Sequence, residues 1–210
     1  TPFPKKVAVK PTDFEGLKPK LLIKTGDEVK VGTPLVFHKT NEQIKIISHV
    51  SGKISEIIRG ERRVIEAIVI EPDEKQVHDD LKIDSNNLTK ESIIEALLNS
   101  GLFLNFIQRP FNKIANPSDI PRDIFISAMD TAPLAAEAAL ILQGNENSFQ
   151  KGLDILSQLT SGKVRLSFKP EDNVFVDFKN CELHNFSGKH PAGNVGVHIH
   201  HISPIKNAHD

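Results

Sequence analysis

Turn residues at short intervals between Leu21 and Glu71 leave this part of the chain one economical solution, an antiparallel β-domain. Gly26-Asp27, Gly32, Asn41 and Gly60 cut the stretch into apolar runs too short for stable helices. The spacing predicts strands over Leu21–Lys24, Pro34–Lys39, Ile44–Val50, Gly52–Ile58 and Arg63–Glu71. In the last of these, Val64, Ile68 and Ile70 face one way while Ile65, Ala67 and Val69 face the other. A strand that is apolar on both faces must be covered on both, so a two-layered sandwich is expected.

Within that domain, "TGDEVKVGTPLVFHKTNEQIKIISHVSGKI" has the turn-and-strand rhythm of barrel-sandwich domains that carry biotin or lipoyl on a lysine. A carrier lysine must stand exposed on a two-residue turn between symmetric strands. Lys39 is the residue in question, but the sequence places the turn nearer "TNEQ", which contains no lysine. Its neighbours are His38 and Thr40, not acidic or methionine residues. The expectation is an unmodified barrel-sandwich scaffold; a covalent carrier domain modified at Lys39 is the alternative.

After Pro72 the polar run "DEKQVHDDLKIDSNNL" reads as a linker, which divides the chain into a β-domain over 1–80 and an α/β domain over 81–210. A helix follows, capped by Thr89 and closed by Gly101, with Ile93, Ile94, Leu97 and Leu98 on its buried face. The loop "QRPFNKIANPSDIPRD" comes next. Then Ile124–Ala128 reads as a buried strand and "MDTAPLAAEAALIL" as a helix with Asp130 or Thr131 near its cap. A second helix is expected from Ser148 to Ser161, with Asn147 and Gln150 as a capping box and Phe149, Leu153, Leu156 and Leu159 as its stripe. Strands are expected through Val164, Leu166 and Phe168, through Val174, Val176 and Phe178, and through Val195, Val197 and Ile199. Strands alternating with helices make this half an α/β layer with a mostly parallel, Rossmann-like sheet, so the chain is α/β (α+β overall).

Composition limits the chemistry. A net charge of -1 gives no electrostatic footprint for nucleic acid. The one cysteine, Cys181, excludes an internal disulfide or a cysteine-rich iron–sulfur site. No apolar run is long enough to span a bilayer, and the amino terminus lacks a signal-peptide core and a methionine, so the chain is expected to be cut from a longer protein.

The segment "SGKHPAGNVGVHIHHISP" holds most of the candidate chemistry. Gly188, Gly193 and Gly196 with Lys189 could cradle an anion through backbone N–H groups, although the spacing is not that of a phosphate loop. His190, His198 and His200 are a possible zinc set, since positions 198 and 200 would share one face of a strand. Plain sheet-face histidines are the simpler reading. Cys181 with His184 reads as structural, because sequence adjacency does not build a nucleophile and base. Asp130 sits at a strand end, where α/β sheets bind ligands, but no G-x-G-x-x-G precedes the helix.

Four stretches carry a family resemblance: "GERRVIEAIVIE", "GLFLNFIQRPFNKI", "IFISAMDTAPLAA" and "NFSGKHPAGNVGVHIHHISP". Together they resemble the A subunits of the sodium-translocating NADH:quinone reductases, over essentially the whole chain. The resemblance implies the amino-terminal half of a protein about twice as long, lacking a β-grasp domain and a helical carboxyl-terminal domain. It also implies a similarity to the C subunit of the Rnf complex and, more distantly, to the flavin subunit of complex I without its glycine-rich cofactor motifs.

The implied protein is a peripheral subunit on the cytoplasmic face of the bacterial inner membrane. It would belong to a complex that moves electrons from NADH to quinone and exports Na⁺. Flavins and iron–sulfur centres would lie in other subunits and none in this chain. Its partners would be those subunits, the membrane ones above all, with ubiquinone or menaquinone nearby. No catalytic residue carries over. Arg109, Pro110 and Phe111 in the proline-rich loop, and Gly188, His190, Pro191 and Gly193 in the glycine turn, are the residues expected to face a partner or the quinone site.

Overall fold

The computed structural model describes residues 4–80 and 88–207. The expected boundary at 80/81 adjoins residues 81–87, which lie outside the described residues. Two compact units emerge, Thr1–Pro117 and Ser118–Asp210.

The first unit opens with β1 (Val7–Val9), β2 (Pro19–Leu21), β3 (Glu28–Val29), β4 (Pro34–His38) and β5 (Asn41–Ile47). β6 (Gly52–Arg59) and β7 (Ile65–Pro72) complete its two main sheets. One sheet runs β1-β7-β6-β3 and the other β2-β4-β5, and every pairing is antiparallel. Ile54, Ile68 and Ile70 of the first sheet and Leu35, Val36 and Ile46 of the second share one core and are at most 1% exposed. β7 is covered on both faces, as its sequence requires: Ala67 and Val69 are buried as well as Ile68 and Ile70. The sequence missed β1 and β3, and its first strand lies at Pro19–Leu21 rather than Leu21–Lys24.

Helix α1 (Lys90–Asn99) has the cap its sequence announces. Thr89 Oγ1 accepts from Ser92 N–H (3.2 Å), and Ser92 Oγ accepts from Thr89 N–H (2.9 Å). Gly101, at φ +69°, turns the chain out of the helix, and Leu98, Phe103 and Leu104 then enter the first unit's core. A small hairpin, β8 (Ile107–Gln108) and β9 (Lys113–Ile114), ends the unit.

In the second unit, β10 (Ile124–Ser127), β11 (Val164–Phe168) and β12 (Glu182–Asn185) form a parallel sheet in that order. Helices α2 (Ala138–Leu142) and α3 (Glu146–Leu156) lie between β10 and β11, and α4 (Val195–Ile202) follows β12. Leu142, Leu153, Val164, Leu166, Phe168, Phe175 and Phe178 make the core on one face of the sheet.

Several expected elements take other forms here. Helix α2 is confined to five residues, because Leu134 adopts a left-handed φ of +61° just after Pro133 and interrupts the helical run. Asn147 and Gln150 make no capping box, since α3 begins two residues earlier than expected. Gln150 instead pins the chain at Lys179, accepting from its N–H (2.8 Å) and donating to its C=O (3.0 Å). The strand expected at Val174–Phe178 is a 3-10 turn over Asn173–Phe175, which puts Phe175 and Phe178, three residues apart, on one buried side. The strand expected at Val195–Ile199 is α4. Its alternating apolar residues also fit a helical period, because Val195 and Ile199 are four apart.

Candidate functional site at the carboxyl end of the parallel sheet

The sheet of the second unit has one apolar face and one polar face. Ile126 and Leu166 are register partners on the core side, so Ser127, Ser167 and His184 form a row across the three strands on the other side. Phe125, Arg165 and Glu182 make the next row. Arg165 pairs with Glu182 and, through Nε at 3.3 Å, with Asp123, and its guanidinium lies 5.9 Å from the Phe125 ring centre. Lys163 pairs with Glu182 as well. The Lys163 hydrogen bond, ahead of the charges of Arg165 and Lys163, holds the Glu182 carboxyl below the usual carboxylate range. This network ties β10, β11 and β12 together at the amino-terminal end of the polar face.

At the opposite end, where parallel sheets bind ligands, the chain fills the position itself. Gly193 N–H donates to Thr131 Oγ1 (2.9 Å), while its carbonyl lies 3.1 Å from Ser127 Oγ, which also donates to Met129 O (2.8 Å). Only glycine allows this approach: a Cβ at position 193 would meet Thr131 N at 2.7 Å. Gly193 is therefore held at its N–H by Thr131 of the β10 loop and at its C=O by Ser127 at the end of β10, whose single proton is shared with Met129 O. His190 reaches the same spot, with Nδ1 3.4 Å from Thr131 Oγ1.

Of the residues singled out in the glycine turn, Gly188, His190 and Pro191 are exposed and Gly193 is buried against the β10 loop. Lys189 and Gly196 are exposed, and Asp130 Oδ1 accepts from Ala132 N–H (2.8 Å) in a local turn rather than at a helix cap. The helical form of α4 separates the histidines: residues two apart on a helix point about 200° apart, so His198 is fully buried and His200 is exposed. That overturns the shared-face zinc set, and among the described residues no three His, Cys, Asp or Glu side chains gather as a metal site. His198 Nε2 donates to Ala192 O (2.8 Å), its ring lies 4.3 Å from the Phe186 centroid, and Nδ1 is buried without a protein partner. Burial pushes this imidazole below its ordinary pKa; the Ala192 hydrogen bond opposes that shift and His201 adds to it. Burial pushes the Cys181 thiol up, and His184 stands by Glu182 (3.7 Å), so neither builds a thiolate nucleophile.

The other candidate residues occupy the β8–β9 hairpin of the first unit. Pro110 and Phe111 are exposed at its tip, Arg109 is half-buried, and Lys113 Nζ sits 5.1 Å from the Phe111 ring centre. Lys113 and Ile114 also line a cleft of about 310 Å³ with Gly16, His38, Thr40 and Asn41. His38 Nδ1 accepts from Lys18 N–H (2.9 Å), so its proton is on Nε2, 2.8 Å from Thr40 Oγ1. Sequence reasoning singled out neither this cleft nor Ser127 and Arg165. The polar residues alternating through "VRLSF" are the signal that would have found Arg165.

The β4–β5 connection corrects the reading of Lys39. His38 pairs with Asn41, so Lys39 and Thr40 themselves form the hairpin tip, and Lys39 is exposed. The flanks are unequal, however. Pairing jumps from His38–Asn41 to Phe37–Lys45, and Lys39 N–H is tied to Lys18 O at 2.9 Å.

Comparison with known proteins supplies the family. Residues 1–73 match the NqrA N-terminal barrel-sandwich hybrid domain, and residues 88–210 match the NqrA second alpha/beta domain. The chain belongs to the NqrA family. Among its relatives, the A subunit of the Na(+)-translocating NADH-quinone reductase of Marinomonas sp. (strain MWYL1) is 38% identical over 204 residues, which cover 96% of this chain and 46% of the relative. The protein of the same name from Yersinia pestis is 40% identical over 207 residues, 95% of this chain and 45% of its own length. That of Cellvibrio japonicus (strain Ueda107) is 36% identical over 208 residues, with 97% and 46% covered. The chain thus spans a little under half the length of these relatives. In NqrA terms, the Lys39 hairpin belongs to the barrel-sandwich domain, the cleft is lined by residues of both matched stretches, and the Gly193 site belongs to the second α/β domain.

Proposed function

We propose that this chain is part of a cofactor-free, peripheral subunit of a Na⁺-translocating NADH:quinone reductase, on the cytoplasmic face of a bacterial inner membrane. In this reading it serves assembly of the complex with the membrane subunits and borders the site of ubiquinone or menaquinone, while flavins and iron–sulfur centres reside in other subunits. The observation that carries it is the match of both domains to NqrA, across nearly the whole chain. The Gly193 peptide supports the cofactor-free part, because it fills the place at the sheet's carboxyl end that a ligand would take. No helix among the described residues is long and apolar enough to cross a membrane, which suits a peripheral position.

Arg109, Pro110, Phe111, Gly188, His190, Pro191 and Gly193 are proposed as partner- or quinone-site residues. Pro110 and Phe111 are exposed at the tip of the β8–β9 hairpin, and His190 and Pro191 are exposed in the glycine turn. The test is a complex assembled with and without the full-length protein, assayed for quinone reduction and for Na⁺ uptake into vesicles. Loss of both is expected on omission, and unchanged rates would sink the reading. F111A and H190A in the full-length protein should raise the quinone KM or weaken assembly while the isolated protein stays folded.

A covalent carrier role for Lys39 is the second reading, favoured by its place at an exposed two-residue tip. The bulge and the Lys18 bond on its flanks oppose it. Intact mass after co-expression with biotin and lipoyl ligases decides: the unmodified mass is expected.

A further inference from the structure

Helix α4 rests on a buried histidine with half of its hydrogen-bonding capacity unmet. His198 is fully buried, gives its Nε2 proton to Ala192 O, and offers Nδ1 as a lone pair to no protein group. The same helix presents the glycine turn to the sheet, since Asn194 closes its first turn by accepting from Val197 N–H (2.9 Å) one residue after the Gly193 peptide is clamped by Thr131 and Ser127. The far end is held by Arg122, which donates to Ser203 O at 2.8 Å. His198 thus sits in a segment, Phe186–Ser203, that is fastened outside itself at Phe186 N–H, which donates to Phe168 O (3.0 Å), at Gly193 and at Ser203. Its buried ring packs inside that segment against Phe186 and Ala192 O.

We infer that His198 makes this segment a pH-sensitive latch: protonation of its ring releases α4 and the glycine turn from the carboxyl end of the parallel sheet, exposing Ser127, Thr131 and the peptide groups of the β10 loop. A protonated His198 would hold a second N–H with no protein acceptor at a fully buried position, and its charge would need a counter-ion. The charged and titratable groups around it do not supply one. On its own helix these are His200 and His201, whose rings lie 5.2 Å apart. The glycine turn contributes Lys189 and His190. From β12 come His184 and Glu182, and from β11 Arg165, but Glu182 is taken up by Arg165 and Lys163. Asp123, before β10, is bound to Arg165 and Arg122, and Asp130, after it, is exposed and bonded to Ala132 N–H. Of the three carboxylates, Glu182 and Asp123 are held in ion pairs and Asp130 is exposed and engaged by a backbone N–H, and none is hydrogen-bonded to the His198 ring.

The lowered pKa of His198 agrees in sign. Above the ordinary histidine value both the latched and the released forms are neutral. Below it the released form takes up a proton first, so release grows as pH falls, by up to about tenfold per pH unit until the latched form also titrates.

The full-length protein can be examined by hydrogen exchange at pH 7.5 and 5.5, with rates corrected for intrinsic pH dependence. Protection of residues 186–203 is expected to fall about tenfold at the lower pH, with β10 and β11 unchanged, and H198Q is expected to abolish the difference because glutamine can still donate to Ala192 O. Equal protection at both pH values in the wild type overturns the latch, and so does a pH response that survives in H198Q. Should H198Q not fold, the wild-type ring ¹⁵N shifts decide: a His198 that titrates at or above the ordinary histidine value is incompatible with release by protonation.

Discussion

β7 and β11 are both interior strands, each in its own sheet, and they treat their second faces in opposite ways. β7 is apolar on both: Ile68 and Ile70 are completely buried on one side, and Ala67 and Val69 are buried on the other. β11 places Val164, Leu166 and Phe168 in the core but turns Arg165 and Ser167 to the other face, where Arg165 binds Asp123 and Glu182. A strand wrapped in hydrocarbon gains stability without directional demands. One with a polar face must satisfy each buried group individually, and that face becomes the place where chemistry or switching is built. The glycine turn and α4 lie over the polar face of the second unit, and the barrel-sandwich unit has no counterpart to them among its described residues.

The contrast is sharpest when the shared apolar side is cut. Phe168 is 2% exposed and packs against Phe175, with ring centroids 5.5 Å apart. F168A should cost about 3–5 kcal/mol, and I70A in β7 about 2–5 kcal/mol, measured by urea unfolding of the chain. Comparable losses show that the apolar faces of the two strands are equivalent. A loss below about 1 kcal/mol for F168A would mean that the second unit is held mainly through its polar side.

Arg165 tests the polar side directly. R165M removes one of the two arginines paired with Asp123, whose side chain is only 7% exposed, and leaves it Arg122 alone as counter-charge. A loss of about 3 kcal/mol at neutral pH is expected, the lower end for a broken buried pair because Glu182 keeps Lys163. D123N added to R165M should recover part of it. No recovery would show that Arg165 acts through its packing on Phe125 rather than through charge.

How much of this was legible follows from the same contrast. β4, β6 and β7 could be located because apolar residues recur over five to eight positions between glycine turns. The parallel sheet was legible through Ile124–Ser127 and Val164–Phe168 for the same reason. Val174–Phe178 and Val195–Ile199 take other forms because three apolar residues alternating over five positions fit a strand and a helical turn equally, and tertiary contacts decide between them. Lys39-Thr40 was missed as a turn because it has neither glycine nor asparagine; the hairpin closes through the bulge beside it and the His38 ring. At the candidate site, the sequence pointed to the glycine turn and to Asp130, yet the groups that clamp Gly193 are Thr131 and Ser127. A hydroxyl that holds a peptide from another part of the chain leaves no local pattern to read.

Two close approaches of glycine to backbone, one in each unit, compare the sheets again on a smaller scale. A Cβ at Gly52 would lie 2.1 Å from Glu71 O, inside the β6–β7 ladder, and one at Gly193 would lie 2.7 Å from Thr131 N. G193A should cost about 1–3 kcal/mol, less than G52A, because a turn can move away whereas a ladder strand cannot. Hydrogen exchange should show G193A loosening residues 186–203 alone.

The smallest expected effect lies at the α1 cap. Thr89 and Ser92 exchange hydrogen bonds through side chain and backbone, so T89A leaves one N–H of the first turn without its acceptor and should cost about 1 kcal/mol. α1 matters beyond its length because Leu98, and Phe103 and Leu104 just beyond it, complete the first unit's core. If the helix is held by those contacts, T89A lowers stability without changing the cooperativity of unfolding, and T89S restores it. If the cap nucleates the segment, T89A should instead detach residues 90–105 as a separate, less protected unit while the barrel-sandwich strands keep their protection. The outcome tells whether the α1 segment is a fixed wall of the all-apolar core or, like α4 in the second unit, an element attached to a sheet that can fold without it.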